Sequence, residues 1–166
     1  MTGCSGNKKD RHPAERAFFE ENLVQESWVV KVVFTESGIH QGVLQAAHEA
    51  EYRTKMGSEH HLDGGIKVTL FDVNGNSTTT ITAQKAVIQD NQDVEVMGSV
   101  IMTSNDGTVI TTEYVKRSAK DKMIRSDRAV TVTMQEKIIR GEGFESDQAL
   151  KKYRIFRGSG EAFIKQ

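Results

Sequence analysis

The stretch from Asp93 to Phe144, DVEVMGSVIMTSNDGTVITTEYVKRSAKDKMIRSDRAVTVTMQEKIIRGEGF, decides the fold. Apolar residues recur there at every second position, which is the period of a half-buried β-strand. The turn-forming tripeptides Asn105-Asp106-Gly107 and Lys120-Asp121-Lys122 interrupt this alternation. The stretch therefore predicts consecutive antiparallel hairpins. The alternating residues are Val94, Val96, Val100, Met102, Ile110, Val130, Val132 and Met134.

A four-residue step that starts with a small residue and ends with a small or β-branched one recurs through the chain, each time after a turn-forming glycine. The steps begin 36, 29 and 34 residues apart, and recurrence in this range indicates stacked hairpin repeats, each too small to bury its own apolar face. A plain antiparallel sandwich with similar hairpins is the alternative. The four steps are Ala47–Ala50, Ala83–Ala86, Thr112–Val115 and Ser146–Ala149.

The length and the charge distribution limit the classes of protein to which the chain can belong. With 166 residues and a net charge of -1, the chain is long enough for one domain with a sizeable core. Residues 113–166 contain 13 Lys and Arg against 8 Asp and Glu, a net charge of +5, while residues 1–112 carry the opposite excess. This asymmetry predicts an affinity of the C-terminal part for anionic groups such as phosphates, although solvated strand faces and edge-guarding lysines would look the same.

The N-terminus carries the single cysteine of the chain, Cys4, so no internal disulfide is expected. Thr2-Gly3-Cys4 matches the end of a bacterial lipoprotein cleavage site, although the usual leucine and apolar signal segment are missing. The interpretation is that Cys4 is lipidated and holds the protein at a bilayer surface. A chance cysteine in a frayed terminus is the alternative.

The first strand is predicted at Ser27–Phe34, where Trp28, Val30, Val32 and Phe34 alternate and are expected to share one face. Hairpin patterns continue through Ile66–Asp72 and its Asn-Gly turn.

The residues Glu59, His60, His61 and Asp63 are the one candidate metal cluster, but adjacent histidines on a strand point to opposite faces. A structural loop is the preferred interpretation, and a metal-dependent enzyme centred on residues 59–63 is a minor alternative. His48 is interpreted as a structural histidine.

Several functional classes lack their characteristic motifs. The chain contains no phosphate-binding glycine loop, no CxxC, no HExxH and no Ser-His-Asp pattern on turn signals. The interleaved basic and aromatic residues that stack nucleic-acid bases are also missing. An elongated β-rich binding module with an apolar inner face remains, and neither an enzyme nor a nucleic-acid-binding protein is expected.

The chain resembles the LptC family, the inner-membrane-associated periplasmic component of the lipopolysaccharide transport machine of Gram-negative bacteria. The resemblance covers Ser27 to Ala162 and rests on the order and spacing of several segments. These are Ser27-Trp28 with Phe34–Gly38, Ala47–Tyr52, Leu70-Phe71-Asp72, Asp93–Val100 with Gly98, Asp106-Gly107 before Thr111-Thr112-Glu113, Ile124–Asp127, Gly141–Asp147 and Tyr153–Gly160.

The resemblance implies an open, twisted antiparallel β-jelly-roll, V-shaped in section and apolar inside. Residues 1–26 are assigned as lipidated N-terminus and tether, and residues 27–166 as the β-jelly-roll domain. Lipopolysaccharide is expected to lie in the apolar trough without catalysis or cofactor. Combined with the alternation, this predicts trough residues Val30, Val32, Ile66, Val68, Val96, Val100, Met102, Ile110, Val130 and Val132.

The resemblance also implies partners at both ends of the domain. One end is expected to dock on the inner-membrane Lpt ABC transporter, whose ATP hydrolysis drives transport. The C-terminal edge strand, with Tyr153, Ile155 and Phe163, is expected to pair with a periplasmic bridge protein of the LptA type. Lys122, Arg125 and Arg128 are candidate contacts for lipid phosphates at the rim. A structural β-repeat assembly protein of the cell envelope, without lipid conduction, remains the alternative function.

Overall fold

The computed structural model describes residues 22–162, which form thirteen strands in one continuous antiparallel sheet. The antiparallel all-β fold predicted from the hairpin pattern is confirmed. The strands are β1 (Leu23–Glu36), β2 (Ile39–Thr54), β3 (Gly57–Phe71), β4 (Ser77–Ala83), β5 (Lys85–Ile88), β6 (Val94–Ser104), β7 (Val109–Arg117), β8 (Ile124–Ser126), β9 (Val130–Met134), β10 (Lys137–Gly141), β11 (Phe144–Ser146), β12 (Tyr153–Ile155) and β13 (Ser159–Ala162).

The long strands each pair with two different shorter strands, one along each half of their length. Strand β3 pairs with β4 through residues 66–71 and with β5 through residues 60–62. Strand β6 likewise pairs with both β4 and β5, and β7 pairs with both β9 and β8. Each long strand therefore crosses from one half of the sheet to the other, and the sheet divides into two walls.

The first wall contains the C-terminal part of β3 and β6, the N-terminal part of β7, and the complete strands β4, β9, β10 and β13. The second wall contains the remaining parts of β3, β6 and β7 with β5, β8, β11 and β12. Strands β1 and β2 run along both walls. Buried residues of both walls belong to one apolar cluster, so the walls pack face to face as in a V-shaped jelly roll.

The walls meet along a line of backbone bends. Gly64 and Gly98 have φ values of +80° and +84°, in the left-handed region that favours glycine. A Cβ atom on Gly98 would lie 2.5 Å from the Gln84 Oε1 atom, and one on Gly64 would lie 2.6 Å from the Cβ of Ala47. The backbone amide of Gln84 donates to the carbonyl oxygens of Met97 and Gly98 at 3.2 and 3.0 Å. Glycine at these two positions thus allows neighbouring strands to approach closely where they bend.

The bends between the two walls explain the four-residue step that is repeated in the sequence. The first three steps lie at bends, since Ala47 faces Gly64, Gln84 follows Ala83, and the Glu113 carboxylate after Thr112 accepts from the amide of Ser99 at 3.1 Å. The fourth step, Ser146–Ala149, instead ends β11 and enters the loop that follows it.

A single cross-strand row forms the centre of the first wall. Its members stand directly opposite one another on successive strands, and each is apolar. Because side chains on one face of a sheet contact their cross-strand neighbours, the row is a continuous apolar band from β1 to β10. The members are Val32, Leu44, Val68, Ile81, Met102, Ile110, Val132 and Ile139.

The structure corrects the predicted face of Trp28. Val29 has a φ value of +56°, which interrupts the alternation of β1 at the bend line. Trp28 is therefore 66% exposed and contacts His48, with 5.4 Å between ring centroids, whereas Val30, Val32 and Phe34 pack against the core.

Candidate functional site

A narrow apolar cavity lies between the two walls. Its polar lining consists of Gln41 and Arg117. Since side chains of both walls line it, the cavity is a property of the assembled jelly roll. The lining residues are Phe34, Gln41, Gly42, Val68, Leu70, Ile81, Val94, Val96, Val115, Arg117 and Ile124.

The ten predicted trough residues all lie on the inner side of the walls. Val30 and Val32 are half-buried and pack against the core, and the other eight are at most 5% exposed. Lys31, between the two half-buried valines, is exposed. Val68 and Val96 contact the cavity directly, while the others form the apolar layer around it. The eight are Ile66, Val68, Val96, Val100, Met102, Ile110, Val130 and Val132.

The three candidate phosphate contacts each lie beside an acidic side chain. The Lys122 ammonium forms an ion pair with Glu36, and Arg125 pairs with Asp121 and Glu145 at 2.7 and 2.9 Å. These two carboxylates raise the pKa of Arg125 above its ordinary value, the Asp121 contact contributing most.

Arg128 is the least neutralised of the three candidates. Its side chain is 62% exposed, it lies 3.8 Å from Asp127, and its guanidinium stacks over the ring of Tyr114 at 5.8 Å. The rim of the second wall is thus charged, but most of its positive charge is compensated.

Sequence reasoning missed Arg117, the one cationic residue that lines the cavity. Its cross-strand neighbours are Val94 and Ile124, which are both buried. Burial lowers the pKa of the Arg117 guanidinium below its ordinary value. The alternation contained the necessary information, because Arg117 stands two positions after the buried Val115 and therefore shares its face.

Two contacts join the walls across the mouth of the V. Near the N-terminal edge, Lys122 in the turn after β7 pairs with Glu36 at the end of β1. Near the C-terminal edge, Gln148 in the loop after β11 contacts Thr79 of the first wall and Arg117 of the second, at 2.5 and 2.6 Å. The mouth is therefore closed at both sides of the cavity.

The C-terminal edge contains two short strands. Among the described residues, β12 pairs only with β11 and β13 only with β10, so each has one open edge. Tyr153 and Ile155 of β12 are half-buried and pack against the core. Phe163 and Cys4 lie outside the described residues.

The structure corrects the loop predicted for residues 59–63, because these residues lie within strand β3 and pair with β2. The histidines of β2 and β3 form separate pairs with acidic residues. His60 bonds to Glu49, while His61 bonds to Glu59 at 3.2 Å. His48 contacts both Asp63 and Glu26. Within residues 22–162, no three His, Cys, Asp or Glu side chains are placed so that they could hold one metal ion.

Comparison with known protein families gives one match over most of the fold. The profile described as lipopolysaccharide-assembly, LptC-related, matches residues 24–158, from the first residues of β1 to the segment after β12. The chain belongs to the LptC family. None of the curated proteins compared with the chain matches it.

Membership of the LptC family assigns the chain a role in lipopolysaccharide transport. The family is one of transport components rather than of enzymes, and it belongs to the periplasmic Lpt bridge. In the described part of this LptC-related chain, no helix has the length and hydropathy needed to cross a bilayer.

Proposed function

We propose that this LptC-related protein binds lipopolysaccharide between its two walls and transfers it, without catalysis, along the Lpt bridge. It takes lipopolysaccharide from the inner-membrane ABC transporter and passes it to a β-jelly-roll protein of the LptA type. The acyl chains lie against the predicted trough residues, and the rim residues Lys122, Arg125 and Arg128 face the lipid phosphates. Arg128 contributes most at the rim because its charge is least compensated.

The apolar row of the first wall is the observation that carries this proposal. It runs from β1 to β10 across eight strands without a polar interruption. The row therefore crosses the sheet in the direction in which further jelly rolls would add to its open edges. An acyl chain moving along it would keep apolar contact throughout, which avoids the cost of exposure to water.

The proposed anchoring follows from the sequence alone. Cys4 carries acyl chains, residues 1–26 include the tether, and residues 27–166 form the transport domain at the periplasmic face of a membrane, the inner one. Strand β1 begins at Leu23, so residues 23–26 also pair with the sheet.

Photo-crosslinking at matched neighbours tests the trough. A benzophenone side chain at Val132, which is buried, should capture lipopolysaccharide in cells, while one at the outward neighbour Thr131 should not. The pair Val32 and Lys31 provides the same comparison at the N-terminal edge. Equal capture at both members of each pair would overturn the proposal and favour a structural β-repeat protein with a filled interior.

The Ile155→Pro variant tests transfer at the C-terminal edge. The Phe156 amide donates to Gly143 and the Phe156 carbonyl accepts from Glu142, so alternation directs the Ile155 amide away from β11, toward the open edge. Proline removes that donor and blocks strand addition while β11 keeps its partner. The folded variant should keep its bound lipopolysaccharide and lose an LptA-type partner in a pull-down.

The matched control is Ile155→Ala, which loses the same packing but retains the amide. It should still capture the bridge protein. If Ile155→Pro also captures it, docking does not take place at β12.

A further inference from the structure

The loop between β11 and β12 folds back into the interior of the jelly roll. Its Leu150 is 1% exposed and belongs to the apolar cluster shared by both walls. The Asp147 carboxylate accepts from the amides of Lys151 and Lys152 at 2.9 and 3.3 Å, which holds the loop in this turned shape. The loop is therefore a compact element whose apolar residue fills space between the walls.

Gln148 fastens this loop to both walls at once. Its backbone carbonyl accepts from the Thr79 hydroxyl at 2.5 Å, and its side-chain oxygen accepts from Arg117 Nε at 2.6 Å. Thr79 belongs to β4 of the first wall and Arg117 to β7 of the second. The loop consequently lies across the mouth of the V, and it must move before a lipid can enter there.

Arg117 has unused capacity to bind an anion. Among residues 22–162 its guanidinium forms no direct ion pair, and the carboxylates of Glu36 and Asp93 act on it only at longer range. Its one hydrogen bond runs from Nε to Gln148, so both terminal amino groups lack a hydrogen-bond partner within this part of the chain. The guanidinium nevertheless borders an apolar cavity. A neutral amide oxygen is a weaker partner for a guanidinium than a phosphate, which accepts two charge-assisted hydrogen bonds in parallel.

We propose that the β11–β12 loop, residues 147–152, is a lid over the trough, and that a phosphate of the incoming lipid displaces Gln148 from Arg117 and thereby opens it. This inference rests on the proposed function and specifies how the lipid is admitted. Because β12 follows the lid directly, opening also takes place next to the edge strand that receives the bridge protein.

Binding measurements with two probes test the lid. The full-length protein is titrated with lipopolysaccharide and with lipopolysaccharide whose lipid A phosphates have been removed. Arg117→Met should weaken binding of the phosphorylated probe about tenfold, as loss of a charge-assisted contact predicts, and should not weaken binding of the dephosphorylated probe. Lys116→Met is the matched control, since Lys116 lies on the same strand, pairs with Asp93 and faces away from the cavity. It should bind like the unmodified protein.

The Gln148→Ala variant tests the contact between Gln148 and Arg117 independently of the Arg117 substitution. Removing the side-chain contact should raise the association rate for phosphorylated lipopolysaccharide about threefold, because a larger fraction of molecules has an open lid. Lys116→Met, outside the lid, should leave the rate unchanged. Hydrogen exchange should show that the amides of Lys151 and Lys152 lose protection when lipopolysaccharide binds.

The outcomes separate this inference from the proposed function. If the folded, unmodified protein binds neither probe, the proposed function fails and the lid fails with it. If it binds both probes while Arg117→Met and Gln148→Ala behave like the unmodified protein, only the lid is refuted. If Arg117→Met does not fold, an unchanged association rate for Gln148→Ala would still overturn the proposal.

Discussion

The inner faces of the two walls differ in chemistry although the same long strands build both. The central row of the first wall is entirely apolar. On the second wall, polar residues stand opposite apolar ones: Glu49 opposite Leu62, His60 opposite Ile88 and Arg117 opposite Ile124. The first wall thus presents a continuous apolar surface, whereas the inner face of the second wall also carries polar and charged side chains.

The largest expected effect is in the first wall, where Ile110 is fully buried in the apolar row. Ile110→Ala should lower the free energy of unfolding by about 2–5 kcal/mol, because it leaves a cavity between Met102 and Val132. The exposed neighbour Thr111 is the control, and Thr111→Ala should change the free energy of unfolding by less than about 1 kcal/mol. Urea denaturation measures both. A loss below about 1 kcal/mol for Ile110→Ala would mean that the first wall does not dominate stability.

A substitution at the bend line should lower the free energy of unfolding less than Ile110→Ala does. Gly98→Ala forces a side chain into the left-handed backbone region and against Gln84, so it should lower the free energy of unfolding by about 2 kcal/mol. Gly107 has a φ value of +92°, but a Cβ atom at this position would meet no heavy atom within 4 Å. Gly107→Ala should therefore lower the free energy of unfolding by only about 1 kcal/mol, from backbone strain.

The difference in free energy of unfolding between the two glycine variants measures the cost of the close contact with Gln84 at the bend line. Equal free energies of unfolding for the two variants would show that the contact between Gly98 and Gln84 is unimportant. Thermal denaturation at one pH and ionic strength is sufficient for the comparison.

The smallest effect is expected at the outer rim of the second wall. The hydrogen bond from Arg125, with a smaller contribution from the Met123 amide, lowers the pKa of Asp121 to about 2. In the unfolded chain this pKa returns to about 3.9. The folded-state pKa is the lower one, so the stabilisation is present above about pH 4 and is lost as the pH falls toward 2.

Asp121→Asn should therefore flatten the decrease in stability of the protein between about pH 4 and pH 2, and only slightly, since the pair is exposed to solvent. Urea midpoints of the two proteins across this range measure the difference. Parallel curves would indicate that the pair with Arg125 does not persist in solution.

The sequence predicted which residues face the interior of the jelly roll better than it predicted how the two walls bend and close on each other. Val96, Val100, Met102 and Val132 were predicted inward from a period of two, and all are buried. The same reasoning failed for Trp28, because the left-handed backbone of Val29 changes the face of the strand and nothing in Ser27–Phe34 marks that bend. The repeated step did mark bends. Ala47 lies against Gly64, where the close approach requires a small side chain, and Gln84 directly follows Ala83 at the bend of Gly98.

Local pattern by itself determined the strand type, the turn positions and the apolar face, because the side-chain period of a strand and the conformations open to Asn, Asp and Gly are properties of neighbouring residues. Only the tertiary structure decided the forking of β3, β6 and β7, the partners of Arg117 and the position of the β11–β12 loop. Gln148 and Thr79 are 69 positions apart in the chain, and they meet because the two walls close on each other. Such a contact depends on the geometry of all the intervening strands, which no short stretch of sequence encodes.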